Sequence, residues 1–168
     1  NKKNEEKFLR NKTVDFDFKK FTKREIYDLV KKMKQKMVEF NGVGLAANQI
    51  GLDTSVFVAQ LPKSEENGDR KFYAVFNPKI TKTSGEKTIL DEGCLSVPGG
   101  YFGEVLRPNK VTLEGYDKNG KKIKIKAFGF LARVFQHEVD HIDGIVFIDR
   151  VGAGQKILGF FKSLIKKK

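Results

Sequence analysis

The sequence predicts an α+β fold, and three observations carry that prediction. One amphipathic helix with clear end signals lies between residues 21 and 40. The middle of the chain reads as short strands without the strand–helix–strand alternation of a doubly wound sheet. Near residues 127–142 the apolar period turns helical again, through AFGFLARVFQHEVDHI.

Each element has a local reason. Residues 1–20 are polar, with scattered apolar positions (Phe8, Leu9, Val14, Phe16, Phe18), and read as an irregular N-terminal arm. Thr22 and Glu25 have the spacing of a capping box, and Phe21 with Ile26 that of a hydrophobic staple. Ile26, Leu29, Val30, Met33 and Met37 form one apolar stripe, ending near Phe40 before Asn41-Gly42. Residues 55–60 and 72–76 read as strands, the second stopped by Asn77-Pro78, with a polar loop at 63–70 between them. Residues 110–116 and 122–126 alternate apolar and polar, and Asn119-Gly120 between them signals a hairpin. Gly144 is placed to end the second helix. The tail GQKILGFFKSLIKKK is apolar at 157, 158, 161, 164 and 165 and basic elsewhere, a pattern for a short amphipathic C-terminal helix weakened by Gly159.

A chain of 168 residues suits one domain, 1–168, with 1–20 as its arm and 151–168 as a basic amphipathic tail. Fifteen phenylalanines argue against a disordered chain. No apolar run approaches the ~20 residues of a membrane span, and no signal-peptide pattern is visible. We therefore expect a monomer without membrane association. The net charge of +12 favours polyanionic partners, although no RNA- or DNA-binding motif accompanies it. The basic tail is the candidate for ribosome contact. Cys94 is the lone cysteine, which excludes an intrachain disulfide and fits a reducing compartment.

QHEVDH, residues 136–141, contains both histidines of the chain. Positions i and i+4 share a helix face, so His137 and His141 can aim two imidazoles at one ion. Glu138, about 100° round the helix, can reach a metal-bound water without being a ligand. A catalytic centre wants about three protein ligands and an open position. The histidine that one protease class carries six residues later is Phe147 here, and no glutamate follows His141. That leaves an upstream ligand, with Cys94 in DEGCLS the clear candidate. GVGLAANQ, residues 42–49, is a third unusual stretch, whose small residues permit close backbone approach, followed by the amide of Gln49.

Together GVGLAANQ, EGCLS and QHEVDHIDG resemble the motifs of peptide deformylase, in the same order, over about residues 21–150. The resemblance implies antiparallel sheets around a central metal-binding helix. It implies removal of the N-formyl group from formyl-methionine at the start of nascent proteins, with release of formate. Cys94, His137 and His141 would bind the metal. Hydroxide generated on the metal would attack the formyl carbon, with Glu138 as general acid/base. The Gln49 side chain and the Leu95 backbone N–H would stabilise the oxyanion. Val43, Gly44 and Leu45 would hold substrate main chain. Phe130, Arg133 and Val134 would line the pocket for the methionine side chain. Arg107 would pair with Glu92. The resemblance further implies Fe²⁺ as the physiological ion, with Zn²⁺, Ni²⁺ or Co²⁺ compatible with the donors. A bacterial-type cytoplasm is the expected compartment, with an organelle as the alternative. Two other readings remain at this point: a zinc peptidase, and a basic binding module with a structural metal.

Overall fold

The computed structural model describes residues 7–61, 71–94 and 102–151. Helix α1 (Lys23–Glu39) starts as its sequence requires. The Thr22 hydroxyl accepts from the Glu25 N–H, and the Glu25 carboxylate accepts from the Thr22 N–H at 2.7 Å. Its buried stripe is Ile26, Val30, Met33 and Met37. There follow β1 (Gly44–Ala46), β2 (Val56–Gln60), β3 (Phe72–Thr83), β4 (Lys87–Gly93), β5 (Phe102–Pro108), β6 (Lys110–Tyr116) and β7 (Lys122–Phe128). Helix α2 (Gly129–Ile142) and the short α3 (Phe147–Arg150) complete the described chain. Five strands form one antiparallel sheet in the order β1-β2-β3-β6-β7, and β4 and β5 pair separately. No helix among the described residues is long and apolar enough to cross a membrane.

The two faces of β2 show how the core divides. Val56 and Val58 pack with Met33, Met37 and Phe76 in the cluster under α1. Phe57 and Ala59 pack with Phe135, Val139 and Ile142 under α2. Successive side chains on a strand point to opposite faces, so one strand supplies both clusters. Helix α2 reaches across the sheet from β1 to β7, whereas α1 packs chiefly on β1 and β2.

Several sequence expectations need correction. Strand β3 does not stop at Asn77-Pro78 but continues to Thr83 through a bulge. Asn77 adopts a φ of +48°, and the pairing with β6 slips between Phe76 and Lys79. A bulge also tolerates Pro78, which has no N–H to donate. Strand β7 runs to Phe128, and the helix begins at Gly129, where φ is +57°, rather than at 127. The expected irregular arm has a helical turn at residues 7–9 and a 3-10 turn at Phe18–Lys20. Strands β1, β4 and β5 were not anticipated. The hairpin at Asn119-Gly120 is present, organised by Asp117, whose Oδ1 accepts from the N–H groups of Asn119 and Lys121.

The arm is tied to the body at several places. Phe16 exchanges two hydrogen bonds with the Asn77 side chain, at 2.7 and 3.0 Å. Thr13 donates through its N–H and hydroxyl to the Ile142 carbonyl at the end of α2. Arg10 forms an ion pair with Asp149. The polar loop at 63–70, Leu95 and the amphipathic tail lie outside the described residues, apart from Val151.

Candidate metal centre

Helix α2 crosses the sheet with an unusual burden. His137 and His141 lie one turn apart, with ring centroids 4.9 Å apart. Strand β4 ends at Gly93 and delivers Cys94 directly above them. The Cys94 Sγ is 3.2 Å from the His141 Nε2. One donor atom from each of Cys94, His137 and His141 lies within 4.8 Å of the other two. That spacing suits a single divalent cation bonded at ~2.0–2.3 Å. Thiolate and imidazole donors fit Zn²⁺, Fe²⁺, Ni²⁺ or Co²⁺ rather than Mg²⁺ or Ca²⁺.

Glu138 stands beside this trio, only 3% exposed. Its Oε2 has no hydrogen-bond partner. A buried carboxylate oxygen left so must have a reason, and a reacting proton nearby is one. Burial raises its pKa to about 7. Its carboxyl lies against Gly44: a Cβ there would overlap Oε1 and come within 2.8 Å of Cδ. Gln49 closes another side. Its Oε1 accepts from the Ala46 N–H at 2.9 Å, which fixes the amide so that Nε2 faces the Cys94 sulfur at 3.7 Å.

Behind the histidines lies a buried ionic network. Glu92 Oε1 accepts from Arg107 and from Arg133, both at 2.6 Å. Glu92 Oε2 accepts from Arg107 at 2.9 Å and meets the His137 Nδ1 at 3.1 Å. Arg107 continues to Asp140 at 2.7 Å, and Asp140 to Arg150 at 2.6 Å. Arg133 also donates to the carbonyls of Val105 and Thr88, which ties β4 and β5 to α2. The carboxylate on Nδ1 turns the Nε2 of His137 toward the cation site.

The charges are tuned to match. Burial alone would raise the pKa of Glu92, but hydrogen bonds from His137 and Arg107 hold it at about 2. Burial disfavours charge on His137, yet hydrogen bonds to Cys94 and Glu92 and the charge of Glu138 lift it to about 10. Burial, aided by the charges of His137 and Arg107, lowers His141 to about 3. A divalent ion held by the trio would favour the deprotonated forms of its thiol and imidazoles.

A family model described as polypeptide deformylase matches residues 2–156. The chain belongs to that family. The family removes N-formyl groups from nascent peptides and is metal-dependent. The chain is 46% identical over 128 residues to the peptide deformylase of Rhodopirellula baltica, a match covering 76% of this chain and 62% of that protein. With the peptide deformylase of Halothermothrix orenii it is 43% identical, over 76% of this chain and 79% of the relative. Among solved structures, a probable peptide deformylase from synechococcus phage S-SSM7 superposes with a TM-score of 0.76 at 42% identity, covering 86% and 93% of the two chains. Peptide deformylase from Plasmodium falciparum superposes at 0.80 with 33% identity, covering 94% and 88%.

Of the residues singled out in the sequence, Cys94, His137, His141, Glu138, Gln49 and Gly44 lie together. Val43 and Leu45 flank Gly44 in and beside β1. The Arg107–Glu92 pair is present. Phe130 and Val134 lie one turn apart on α2; the first is half exposed and the second buried in the core. The Arg133 guanidinium is committed to Glu92 and the β4–β5 carbonyls, so only its stem is available to a pocket. Leu95 lies outside the described residues. Sequence reasoning missed Asp140 and Arg150. The available signal was an acid between two histidines on a helix otherwise rich in apolar residues.

Proposed function

We propose that this chain hydrolyses the formamide of N-formylmethionyl nascent peptides, releasing formate. The observation that carries the reading is the convergence of Cys94, His137 and His141 beside a buried carboxylate, Glu138, with one unpartnered oxygen. A divalent cation held by the trio would supply Lewis acidity toward water and the formyl oxygen. Fe²⁺ is the proposed physiological ion, with Zn²⁺, Ni²⁺ or Co²⁺ as substitutes.

The chain's own groups do the rest. Glu138 Oε2 accepts a proton from water, and the same oxygen returns a proton to the leaving amine. A pKa near 7 suits both transfers, because neither protonation state is far from the working pH. The Gln49 Nε2 donates to the carbonyl oxygen as it becomes anionic, and the Leu95 N–H is the proposed second donor. Among the described residues, strand β1 sits at the edge of the five-stranded sheet and pairs only with β2. Its other side, at Gly44 with Val43 and Leu45 nearby, would offer main-chain groups to an extended peptide. The half-exposed Phe130, with Val134 and the stem of Arg133, would cover the methionine side chain. Gly44 is required at this wall because any side chain there would collide with the Glu138 carboxyl.

The decisive experiment measures formate release from formyl-Met peptides under anaerobic conditions, beside metal analysis. Glu138→Gln should keep the metal and lose turnover; full activity in that variant defeats the assignment. The proposed setting is a monomer in a bacterial-type cytoplasm, with an organelle as the alternative. Ribosome contact is proposed for the basic tail, tested by deleting 155–168 and following salt-dependent ribosome binding.

A further inference from the structure

Among the described residues, helix cover extends across one face of the five-stranded sheet and only part of the other. Helix α2 spans the first face from β1 to β7, while α1 packs chiefly over β1 and β2 on the second. Register shows what occupies the remaining half. Lys82, Thr112 and Lys126 lie in one row across β3, β6 and β7. Lys79, Glu114 and Lys124 form the next row, and Lys110 pairs with Phe128 beyond. The intervening residues Val111, Leu113 and Ala127 point the other way, into the core under α2. The rows therefore form the outward face.

This face carries five lysines in those rows against one acid, Glu114, which is already paired with Lys124 at 2.7 Å. Lys82 and Lys126 flank the buried Thr112 from the strands on either side, roughly 10 Å apart by strand spacing. A groove of about 570 Å³ opens there, with Lys82, Lys110, Lys126, Thr112, Ser84 and Phe128 in its walls. It shares no residue with the metal centre. Phe128 is 73% exposed at the rim, the most exposed large apolar side chain among the described residues. Cations spaced along a groove match a phosphate backbone, and an exposed aromatic ring beside them matches an unstacked base.

We propose that this half-face of the sheet, centred on Lys82, Lys110, Lys126 and Phe128, binds single-stranded RNA. The lysines neutralise successive phosphates and the Phe128 ring stacks on a base. Nothing in this inference depends on deformylation.

The test uses the full metal-loaded chain and a fluorescein-labelled 20-nucleotide single-stranded RNA of mixed sequence, followed by anisotropy between 50 and 200 mM salt. Lys82→Glu/Lys110→Glu/Lys126→Glu should weaken binding at least ~10-fold and flatten the salt slope by about 2. Lys20→Glu/Lys31→Glu/Lys32→Glu, with the same charge change on exposed residues elsewhere, should weaken it less than about 3-fold. Phe128→Ala should weaken it about fivefold or more. An unchanged thermal midpoint certifies the fold, and Lys82→Gln/Lys110→Gln/Lys126→Gln replaces the first variant if the reversed charges prevent folding. Equal loss in both triple-glutamate variants would show diffuse charge attraction and overturn the proposal. So would unaltered RNA binding in the groove variants, or binding to vesicles of anionic lipid that exceeds RNA binding and is lost with the groove lysines.

Discussion

Helices α1 and α2 sandwich one sheet, yet they are built on opposite terms. Helix α1 keeps to the ordinary bargain between sequence and solvent. Its apolar stripe is buried, its charges are outside, and Thr22 and Glu25 close its first turn. Helix α2 has no side-chain cap at Phe128 and buries Arg133, Gln136, Glu138, Asp140 and His141. Isolated buried charges are costly; Arg133 and Asp140 persist by pairing with Glu92 and Arg107, whereas Glu138 keeps an oxygen without a partner. The difference teaches that a helix in a core can be selected for the chemistry it holds, while its neighbour is selected to fold.

Substitutions test that contrast, most severely at the ligands. His141→Ala should abolish both bound metal and formate release, seen by metal analysis and assay on the same preparation; retained metal would remove His141 from the ligand set. Glu138→Gln should lower turnover by ~10²–10⁴ with metal content unchanged. Loss of metal in that variant would make Glu138 a ligand rather than a proton carrier. Arg107→Ala leaves Glu92 and Asp140 short of a buried partner and should cost about 3–5 kcal/mol in denaturant unfolding. Thr22→Ala on α1 should cost only about 1 kcal/mol and leave turnover untouched. A Thr22→Ala enzyme with damaged turnover but normal stability would erase the distinction between the two helices.

What could be read in advance followed the same division. The limits of α1 and the β6–β7 hairpin were visible because their signals are local: a capping box, an apolar stripe, Asn119-Gly120. The metal trio was visible because two histidines four apart leave few alternatives once Phe147 excludes a third. The β4–β5 pairing was not, because neither strand alternates strictly, even though Pro98-Gly99-Gly100 between them carries a turn signal. Asn77-Pro78 misled because a proline that ends most strands is tolerated at a bulge. The network through Asp140 and Arg150 was hidden because Asp140 and Arg107 are 33 residues apart and meet only in the folded chain.

The locked amide of Gln49 has one last implication. Because the Ala46 N–H claims its oxygen, the side chain can offer the centre hydrogens and nothing else. Replacing it with glutamate would preserve bulk almost atom for atom, yet put a lone-pair oxygen where the amide hydrogens face the proposed oxyanion. An isostere at this corner is thus an inversion of sign, and crystallographic sameness there would coexist with chemical opposition.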